Sequence, residues 1–271
     1  MTRQQTGPVD RNPEEPIEPR SEAIRRRLRE PVLRLLDRLG YHLVRKLPPG
    51  PPPGPEGIPD AECYRPFFRP WMHDATFQEI YSIVAPVTFV SIESCHTLWT
   101  LGQQVLPLQG DFLECGVYQG GTARLLAELL ARKGPGRSLH LFDTFTGMPP
   151  SGPHDLHKEG DFHDTSLPRV RQCVGHADLV RYHPGRIPET FSGIGSIRIA
   201  FAHVDVDLYQ AVRDCCAFIF PRLVPGGVIV FDDYGYATCP GARKAVDEFF
   251  AGKTELPLVL QGGQAVVFRS P

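Results

Sequence analysis

The C-terminal part of this chain alternates between strand-like and helix-like segments, and this order restricts the fold more than any other feature. From Gly110 onward, short runs rich in Val, Ile, Leu and Phe predict five strands, at residues 111–115, 138–142, 179–182, 197–204 and 227–231. Helices are predicted at residues 122–132, 208–223 and 242–250. Strands that alternate with helices are typical of a parallel sheet covered on both faces. The sequence therefore predicts an α/β domain.

Two further strands close the chain. Residues 257–260 and 264–268 flank Gly262-Gly263, which is a hairpin signal. A βα series that ends in an antiparallel hairpin is the order of a Rossmann-like, class I S-adenosylmethionine (SAM)-dependent methyltransferase. A dinucleotide dehydrogenase would be expected to continue with more βα units. We therefore expect a seven-stranded, mostly parallel sheet.

The first 109 residues predict a helical N-terminal extension in two parts. Residues 1–60 are expected to be a partly disordered arm, with one helix at Ser21–Arg45 and a Pro- and Gly-rich linker at Pro48–Pro59. The short apolar stripe of that helix favours docking on the domain or on a second subunit over lying on a membrane. Residues 61–109 are expected to be a helical lid or substrate-side segment, and residues 110–271 the SAM-binding domain.

Composition narrows the class of partner. The formal net charge is −2, which gives no electrostatic reason to expect nucleic acid or an anionic membrane as a partner. The chain has no apolar run of about 18 residues, and its polar N-terminus lacks the apolar core of a signal peptide. Its seven cysteines are scattered without ligand-type spacing. We therefore expect a cytoplasmic protein that acts on a small molecule, and the predicted N-terminal helix offers a surface through which it could form a homo-oligomer.

A glycine-containing turn follows the first predicted strand. Gly116 and the pair Gly120-Gly121 lie where backbone must approach a ligand closely. The pattern is not G-x-G-x-x-G, and acidic Glu114 stands just before it. A carboxylate here would repel a pyrophosphate but could bind an ammonium group, which favours SAM over NAD. The alternative is a tight structural turn that binds nothing.

Other residues near the first two strands are candidates for contact with SAM. Asp143 ends the second strand, where a carboxylate can accept hydrogen bonds from both ribose hydroxyls; a turn or capping role is the alternative. Phe145 could cover the adenine or simply pack in the core. Further candidates are Tyr118 and Gly120 in the turn, and Asp161 in the loop that follows.

The polar loop between Pro149 and Ser166 contains three histidines. Histidines invite a zinc hypothesis, but no cysteine and no helical spacing in this stretch supports it. Its glycine and charge content instead predict a mobile lid over the cofactor.

Acidic residues follow the fourth and fifth predicted strands. Asp205 and Asp207 come after one, and Asp232 and Asp233 after the other. Neighbouring parallel strands deliver such residues to one crevice, where the charges repel unless a cation compensates. Oxygen ligands suit a hard ion such as Mg²⁺. We expect Asp205, Asp232 and Asp233 to be ligands and Asp207 to cap the next helix or to support the site from behind.

A bound Mg²⁺ could hold a substrate hydroxyl and lower its pKa, and a carboxylate or a nearby histidine would take the proton. His203 and His183 lie near strand ends, but histidines in such places are more often packing residues with satisfied hydrogen bonds.

Four segments together resemble the TylF-type (macrocin O-methyltransferase-like) family. They are Glu114–Gly121, Phe142–Pro149, His203–Tyr209 and Val230–Tyr234. The resemblance runs from about Asp111 to Phe268 and implies SAM and Mg²⁺ dependence, with methylation of a hydroxyl, commonly on a sugar of a natural product. It implies Asp205, Asp232 and Asp233 as metal ligands, Asp205 also as general base, and Glu114, Gly116 and Asp143 as SAM contacts. Val206 stands where the family often has Gly.

Three other functions remain open. A methyltransferase of the same fold could act on a catechol or another small phenol. A metal-dependent hydrolase-like enzyme could keep the acidic residues without SAM, although Glu114 and Asp143 suit SAM and are not needed for hydrolysis. A non-catalytic scaffold is disfavoured because buried carboxylates carry a solvation cost.

Overall fold

A computed structural model describes residues 69–271 of the chain. The predicted arm helix at Ser21–Arg45, the linker and the first part of the substrate-side segment lie outside these residues.

The described residues contain the predicted seven-stranded sheet. Its strands, numbered along the chain, are Asp111–Cys115 (β1), Leu139–Asp143 (β2), Val180–Pro184 (β3), Ile199–Val204 (β4), Leu223–Phe231 (β5), Leu258–Val259 (β6) and Ala265–Phe268 (β7). Their order across the sheet is β3-β2-β1-β4-β5-β7-β6. The first five strands are parallel, and β7 runs antiparallel to both β5 and β6. The predicted parallel sheet with a closing hairpin is therefore confirmed.

Six α-helices accompany the sheet. They are Ala75–Val84 (α1), Ile92–Gln104 (α2), Gly121–Lys133 (α3), Leu167–Val174 (α4), Tyr209–Ile219 (α5) and Pro240–Phe250 (α6). Helix α3 contacts α1, α2 and α4, and α1 also contacts α2. Helix α5 packs against α6. Among residues 69–271, none of the helices is long and apolar enough to cross a membrane.

Two elements differ in extent from the sequence prediction. Helix α5 ends at Ile219 and is followed by a 3₁₀ turn at Phe220–Arg222, whereas the prediction continued the helix to Leu223. The cause is Pro221, which has no N–H to continue the helical hydrogen bonds. Strand β5 consequently begins earlier than predicted, at Leu223.

The core has two layers, one on each face of the sheet. Alternate residues of β1 point to opposite faces, so that Phe112 joins the layer beneath α1, α2 and α3 while Leu113 joins the layer beneath α5 and α6. Phe112 stacks on Phe201 of β4 at a ring distance of 5.0 Å. Cys215 and Cys216 are packing residues, since both side chains are fully buried in the second layer.

A glycine lets the ends of β1 and β4 approach each other. Gly116 follows β1 with φ of +83°, and a Cβ atom there would lie 1.6 Å from the carbonyl oxygen of Asp205. The amide of Asp205 in turn donates to the carbonyl of Cys115 at 2.8 Å. The two segments that carry the predicted cofactor and metal residues are therefore held in direct backbone contact.

Two histidines on neighbouring strands form a titratable pair. Nδ1 of His140 lies 3.0 Å from Nε2 of His183, and the His183 ring stacks on Phe142 at 4.3 Å. Burial and, to a smaller extent, the neighbouring His140 together lower the pKa of His183 to about 4. The folded protein therefore resists protonation that the unfolded chain accepts at a pKa of about 6.5.

This difference predicts that the protein loses stability in mild acid. The pKa of His183 is lower in the folded protein than in the unfolded chain. The contribution of the neutral side chain to the free energy of unfolding is therefore fully present above about pH 7 and is lost as the pH falls from about 6.5 toward 4. His183→Gln keeps a donor but does not titrate in this range. The fall in Tm between pH 7.5 and pH 5, measured by calorimetry, should be about 3 °C smaller in the variant, which allows for partial solvent screening of this half-buried group. An equal fall in both proteins would contradict the assignment.

Candidate functional site

A pocket opens at the carboxyl ends of the parallel strands, where ligands bind in open α/β sheets. Its volume is about 320 Å³, within the range of roughly 300–1,000 Å³ that small-molecule sites occupy. One side is formed by the turn after β1, the end of β2 and the segment after β3. The other side is formed by the acidic residues after β4 and β5. Three of the predicted cofactor residues, Gly116, Tyr118 and Asp143, therefore share one pocket with the three predicted metal ligands.

The turn after β1 is organised by Asp143. One carboxylate oxygen of Asp143 accepts from the backbone amides of Val117 and Tyr118 at 2.6 and 3.0 Å, and the other accepts from the amide of Phe145 at 2.7 Å. Asp143 lines the pocket together with Gly116 and Tyr118. Because Oδ2 already accepts two amides, Oδ1, whose second contact is a long hydrogen bond of 3.4 Å from the Thr144 hydroxyl, is the atom that can accept from a ligand hydroxyl.

Other cofactor candidates occupy different places. Phe145 is buried in the core with its ring 6.2 Å from that of Tyr182, so it packs rather than lining the pocket. Gly120, with φ of +93°, caps the N-terminus of α3. Asp161 accepts hydrogen bonds from Nδ1 of His157 at 3.3 Å and from the Lys158 amide at 2.9 Å. None of these three is among the residues that line the pocket.

Glu114 is fully buried and belongs to a chain of charged groups that crosses the sheet. Its Oε1 atom lies 2.8 Å from Nδ1 of His203, and Nε2 of His203 lies 3.4 Å from Oδ1 of Asp232. The predicted satisfied state of His203 is confirmed by these two partners. Burial alone would lower the pKa of His203, but the bonds to Asp232 and Glu114 raise it well above its usual value.

Glu114 also carries an orphaned atom. Its Oε2 is buried and has no hydrogen-bond partner among residues 69–271. A buried acceptor without a partner is costly and points to a donor from outside residues 69–271, such as a bound ligand. An ammonium group of a bound ligand would satisfy it, although Glu114 itself does not line the pocket.

Three carboxylates form an acidic cluster, which we define as Asp205, Asp207 and Asp233. One oxygen from each lies within 4.8 Å of the others. Burial raises the pKa values of all three, and mutual repulsion adds to this for Asp205 and Asp233, to which Asp232 also contributes. An all-oxygen donor set whose charges repel one another fits a hard divalent cation.

The position of Asp207 corrects one sequence expectation. Asp207 was expected to cap the following helix or to lie behind the site, but α5 has no side-chain cap from it. Its φ of +57° is left-handed, and its amide donates to Oδ2 of Asp233 at 2.8 Å. This backbone conformation, which no strand pattern predicts, places the Asp207 carboxylate beside Asp205. The side chain of Asp232 instead faces His203 and accepts from Nε2 of Gln264 at 2.7 Å.

The loop 149–166 covers one side of the pocket and is anchored at several points. Asp155 accepts from the Tyr209 amide at 2.8 Å, at the start of α5, which is the contact that Asp207 was expected to make. Asp164 accepts from the Tyr118 hydroxyl at 2.8 Å. His157 and Phe162 reach the pocket wall. The predicted placement of this loop over the site is therefore seen, and its mobility stays a prediction.

His157 of this loop meets a cysteine from a distant part of the chain. Its Nε2 atom lies 3.5 Å from Oδ1 of Asp207 and 3.7 Å from Sγ of Cys239. The sequence argument against zinc depended on the lack of a nearby cysteine, and the fold supplies one from the start of α6. No signal in the sequence connects residues separated by 82 positions.

Comparison with known proteins places the chain in a family. Residues 97–269 match the family described as Macrocin-O-methyltransferase (TylF). The 8-demethyl-8-(2,3-dimethoxy-alpha-L-rhamnosyl)-tetracenomycin-C 4'-O-methyltransferase of Streptomyces olivaceus is 32% identical over 153 residues, which cover 52% of this chain and 58% of that protein. Mycinamicin III 3''-O-methyltransferase of Micromonospora griseorubida is 32% identical over 155 residues, which cover 52% and 60%. The chain thus spans less than two thirds of these relatives.

Solved structures agree with the family match. The O-methyltransferase NovP has a TM-score of 0.61 and 26% identity, over 68% of this chain and 82% of that one. The calicheamicin methyltransferase CalS11 has a TM-score of 0.57 and 20% identity, over 78% and 97%, and shares the fold. The family match covers more than half of the chain and includes every strand of the sheet. The chain belongs to the macrocin-O-methyltransferase (TylF) family.

Proposed function

We propose that this chain is a SAM- and Mg²⁺-dependent O-methyltransferase that methylates a sugar hydroxyl of a glycosylated natural product. The observation that carries the proposal is the meeting of two different sites in one pocket, the Asp143-organised turn and the acidic cluster. The first suits a nucleoside with an amino-acid moiety, and the second suits a divalent cation. A hydrolase that needs only a metal would have no use for the first site.

On the cofactor side, the chain's own groups bind and orient. Asp143 would accept the ribose hydroxyls, while the amides it already holds keep the turn after β1 in place. The unpartnered Oε2 of Glu114 would accept from the ammonium group. SAM, when bound, supplies the methyl group. The contact between Gly116 and Asp205 keeps these residues beside the acidic cluster.

On the acidic side, Asp205, Asp207 and Asp233 would hold Mg²⁺, with Asp232 beside them. Mg²⁺, when bound, supplies positive charge that lowers the pKa of an acceptor hydroxyl. Asp205 is the proposed proton acceptor, because it lines the pocket within the acidic cluster, where the acceptor hydroxyl would be held. The remaining contribution of the protein is to align the hydroxyl oxygen with the methyl carbon.

The sugar acceptor is proposed by analogy with the relatives. Their names describe methylation of a rhamnosyl tetracenomycin, of a demethyldecarbamoylnovobiocin and of mycinamicin III. One structural observation favours the alternative of a phenolic acceptor. Phe89 stacks on Tyr118 at 5.3 Å, and Phe162 lies 5.5 Å from Tyr118, so three rings line the pocket. The same rings could contact the apolar part of a glycosylated compound.

Binding of S-adenosylhomocysteine, measured by calorimetry, tests the proposal without knowledge of the acceptor. The wild-type chain should bind it with a Kd in the micromolar range. Asp143→Ala should weaken binding at least tenfold, or about 1.4 kcal/mol, because it removes both the ribose acceptor and the bonds that shape the turn. Absence of binding by the wild type, with and without Mg²⁺, would overturn the proposal.

Asp111→Ala is the matched control for Asp143→Ala. Asp111 stands at the other end of β1 and also accepts from a backbone amide, that of Ser138 at 3.0 Å. It does not line the pocket. The affinity of the Asp111→Ala variant for S-adenosylhomocysteine should equal that of the wild type. An equal loss in both variants would show that general destabilisation, and not loss of a ligand contact, explains the result.

A further inference from the structure

Three side chains from distant parts of the chain form a compact set of mixed donor atoms beside the acidic cluster. We define the donor triangle as Nε2 of His157, Oδ1 of Asp207 and Sγ of Cys239. Its edges are 3.5 Å from His157 to Asp207, 3.3 Å from Asp207 to Cys239 and 3.7 Å from Cys239 to His157. The set lies within the group of residues that line the pocket.

These edges match one face of a tetrahedral zinc site. Zinc binds carboxylate oxygen and imidazole nitrogen at about 2.0–2.1 Å and thiolate sulfur at about 2.3 Å. Tetrahedral angles then place the donors about 3.3–3.6 Å apart. The three measured edges lie within about 0.2 Å of that range. The triangle therefore needs little rearrangement to bind an ion, and the fourth position is left for water or another ligand.

Surrounding groups orient the donors as in other histidine-containing metal sites. Nδ1 of His157 lies 3.3 Å from Oδ2 of Asp161, which favours a proton on Nδ1 and leaves the lone pair of Nε2 directed at the triangle. Cys239 is buried and stands at the N-cap position of α6, and Thr238 Oγ1 lies 3.5 Å from its sulfur. Burial, followed by the neighbouring Asp233, raises the pKa of the Cys239 thiol in the metal-free protein, so binding of an ion would displace the thiol proton.

The chemistry of the donors separates this set from the acidic cluster. The acidic cluster offers only oxygen atoms, which suit Mg²⁺. The donor triangle contains nitrogen and sulfur, which favour Zn²⁺ and related transition-metal ions over Mg²⁺. Asp207 belongs to both groups, and a carboxylate with two oxygen atoms can bridge two ions.

We propose that His157, Asp207 and Cys239 form a second metal site that binds Zn²⁺ or a chemically similar divalent ion, distinct in ligand type from the acidic cluster. An ion there ties the loop 149–166 to the start of α6. This proposal concerns metal binding alone and does not depend on methyl transfer.

Cobalt titration of the metal-free full chain tests the site. Tetrahedral Co²⁺ bound by a thiolate gives a sulfur-to-metal charge-transfer band and intense visible bands. We expect one equivalent of Co²⁺ to produce both, Zn²⁺ to abolish them at stoichiometric amounts, and a large excess of Mg²⁺ to leave them in place. No charge-transfer band in the wild type would overturn the proposal.

Variants identify the ligands. Cys239→Ser should remove the charge-transfer band, and Asp161→Asn, which leaves all three donors in place, should weaken Co²⁺ binding about 10- to 100-fold. Cys173→Ser is the matched control, because that thiol lies on α4 and not in the donor triangle. Thermal melting checks that each variant is folded. A band that survives in Cys239→Ser, or one that is lost in Cys173→Ser, would contradict the assignment. Should Cys239→Ser fail to fold, unchanged Co²⁺ affinity in Asp161→Asn would contradict it instead.

Discussion

Replacement of Asp205 by asparagine is expected to lower the rate of methyl transfer by about 10³-fold, the range in which a positioned general base contributes. The same change removes one negative charge and one carboxylate oxygen from the acidic cluster, so the affinity for Mn²⁺, used as a probe for Mg²⁺, should fall at least tenfold. S-adenosylhomocysteine affinity should stay within about threefold of the wild type, or about 0.6 kcal/mol, because the cofactor contacts come from other residues.

The stability of the Asp205→Asn variant should change in the opposite direction. The pKa of Asp205 is raised by burial and by the neighbouring Asp232 and Asp233, which means that its charge destabilises the folded protein at pH 7. Neutral asparagine removes this repulsion, so the Tm of the metal-free variant should equal or exceed that of the wild type. Loss of activity with gain of stability is typical of a residue kept for function.

Asp178→Asn is the control for Asp205→Asn, since Asp178 is exposed on the turn before β3. Its activity, Mn²⁺ affinity and Tm should match those of the wild type. Full activity in the Asp205 variant, or activity of the wild type that persists in excess chelator, would contradict the proposed role of the acidic cluster.

Replacement of Gly116 by alanine is expected to damage both the fold and the pocket. The added Cβ would lie 1.6 Å from the Asp205 carbonyl oxygen and 2.5 Å from its carbonyl carbon, so the backbone after β4 must move. The φ of +83° adds a penalty of roughly 1–2 kcal/mol, and overpacking adds roughly 1–3 kcal/mol. The free energy of unfolding, measured with denaturant, should fall by the sum of the two penalties. The affinity for S-adenosylhomocysteine should fall at least tenfold.

Gly136→Ala separates the two causes. Gly136 has nearly the same φ, +80°, but a Cβ atom there would meet nothing within 4 Å. The Gly136→Ala variant should lose only the backbone penalty of roughly 1–2 kcal/mol in free energy of unfolding and should keep its affinity for S-adenosylhomocysteine. Equal losses of unfolding free energy in the two variants would mean that the close approach to Asp205 has no energetic weight.

Much of the fold could be predicted because its strands are short apolar runs separated by turn residues. The parallel strands β1 to β5 and the closing hairpin were predicted in order and type. Helix α4 was not predicted, because Leu167–Val174 has only two fully buried residues, and α1 was expected only as an undefined part of the helical segment 61–109. Local patterns carry little information on such short elements.

In the site, too, residues placed by nearby sequence were predicted, whereas contacts between distant segments were not. Residues at strand ends, such as Asp143 and Asp205, were predicted because parallel strands end at one edge of the sheet. The expected capping role of Asp207 was wrong, because a left-handed backbone conformation turns this residue into the acidic cluster. Cys239 was not predicted as a ligand, because its contact with His157 exists only after the loop and the start of α6 are brought together.

The sequence by itself therefore determined the order of the strands, the edge of the sheet at which chemistry is concentrated and the family to which the chain is similar. Those properties follow from hydrophobic periodicity and from residues adjacent in the chain. The tertiary structure alone decided that Asp207 lies beside Asp205 and Asp233, that His203 joins Glu114 to Asp232, and that a cysteine faces His157. Each of these contacts joins segments far apart in the chain, and their distances depend on backbone torsion angles and packing that no local pattern encodes.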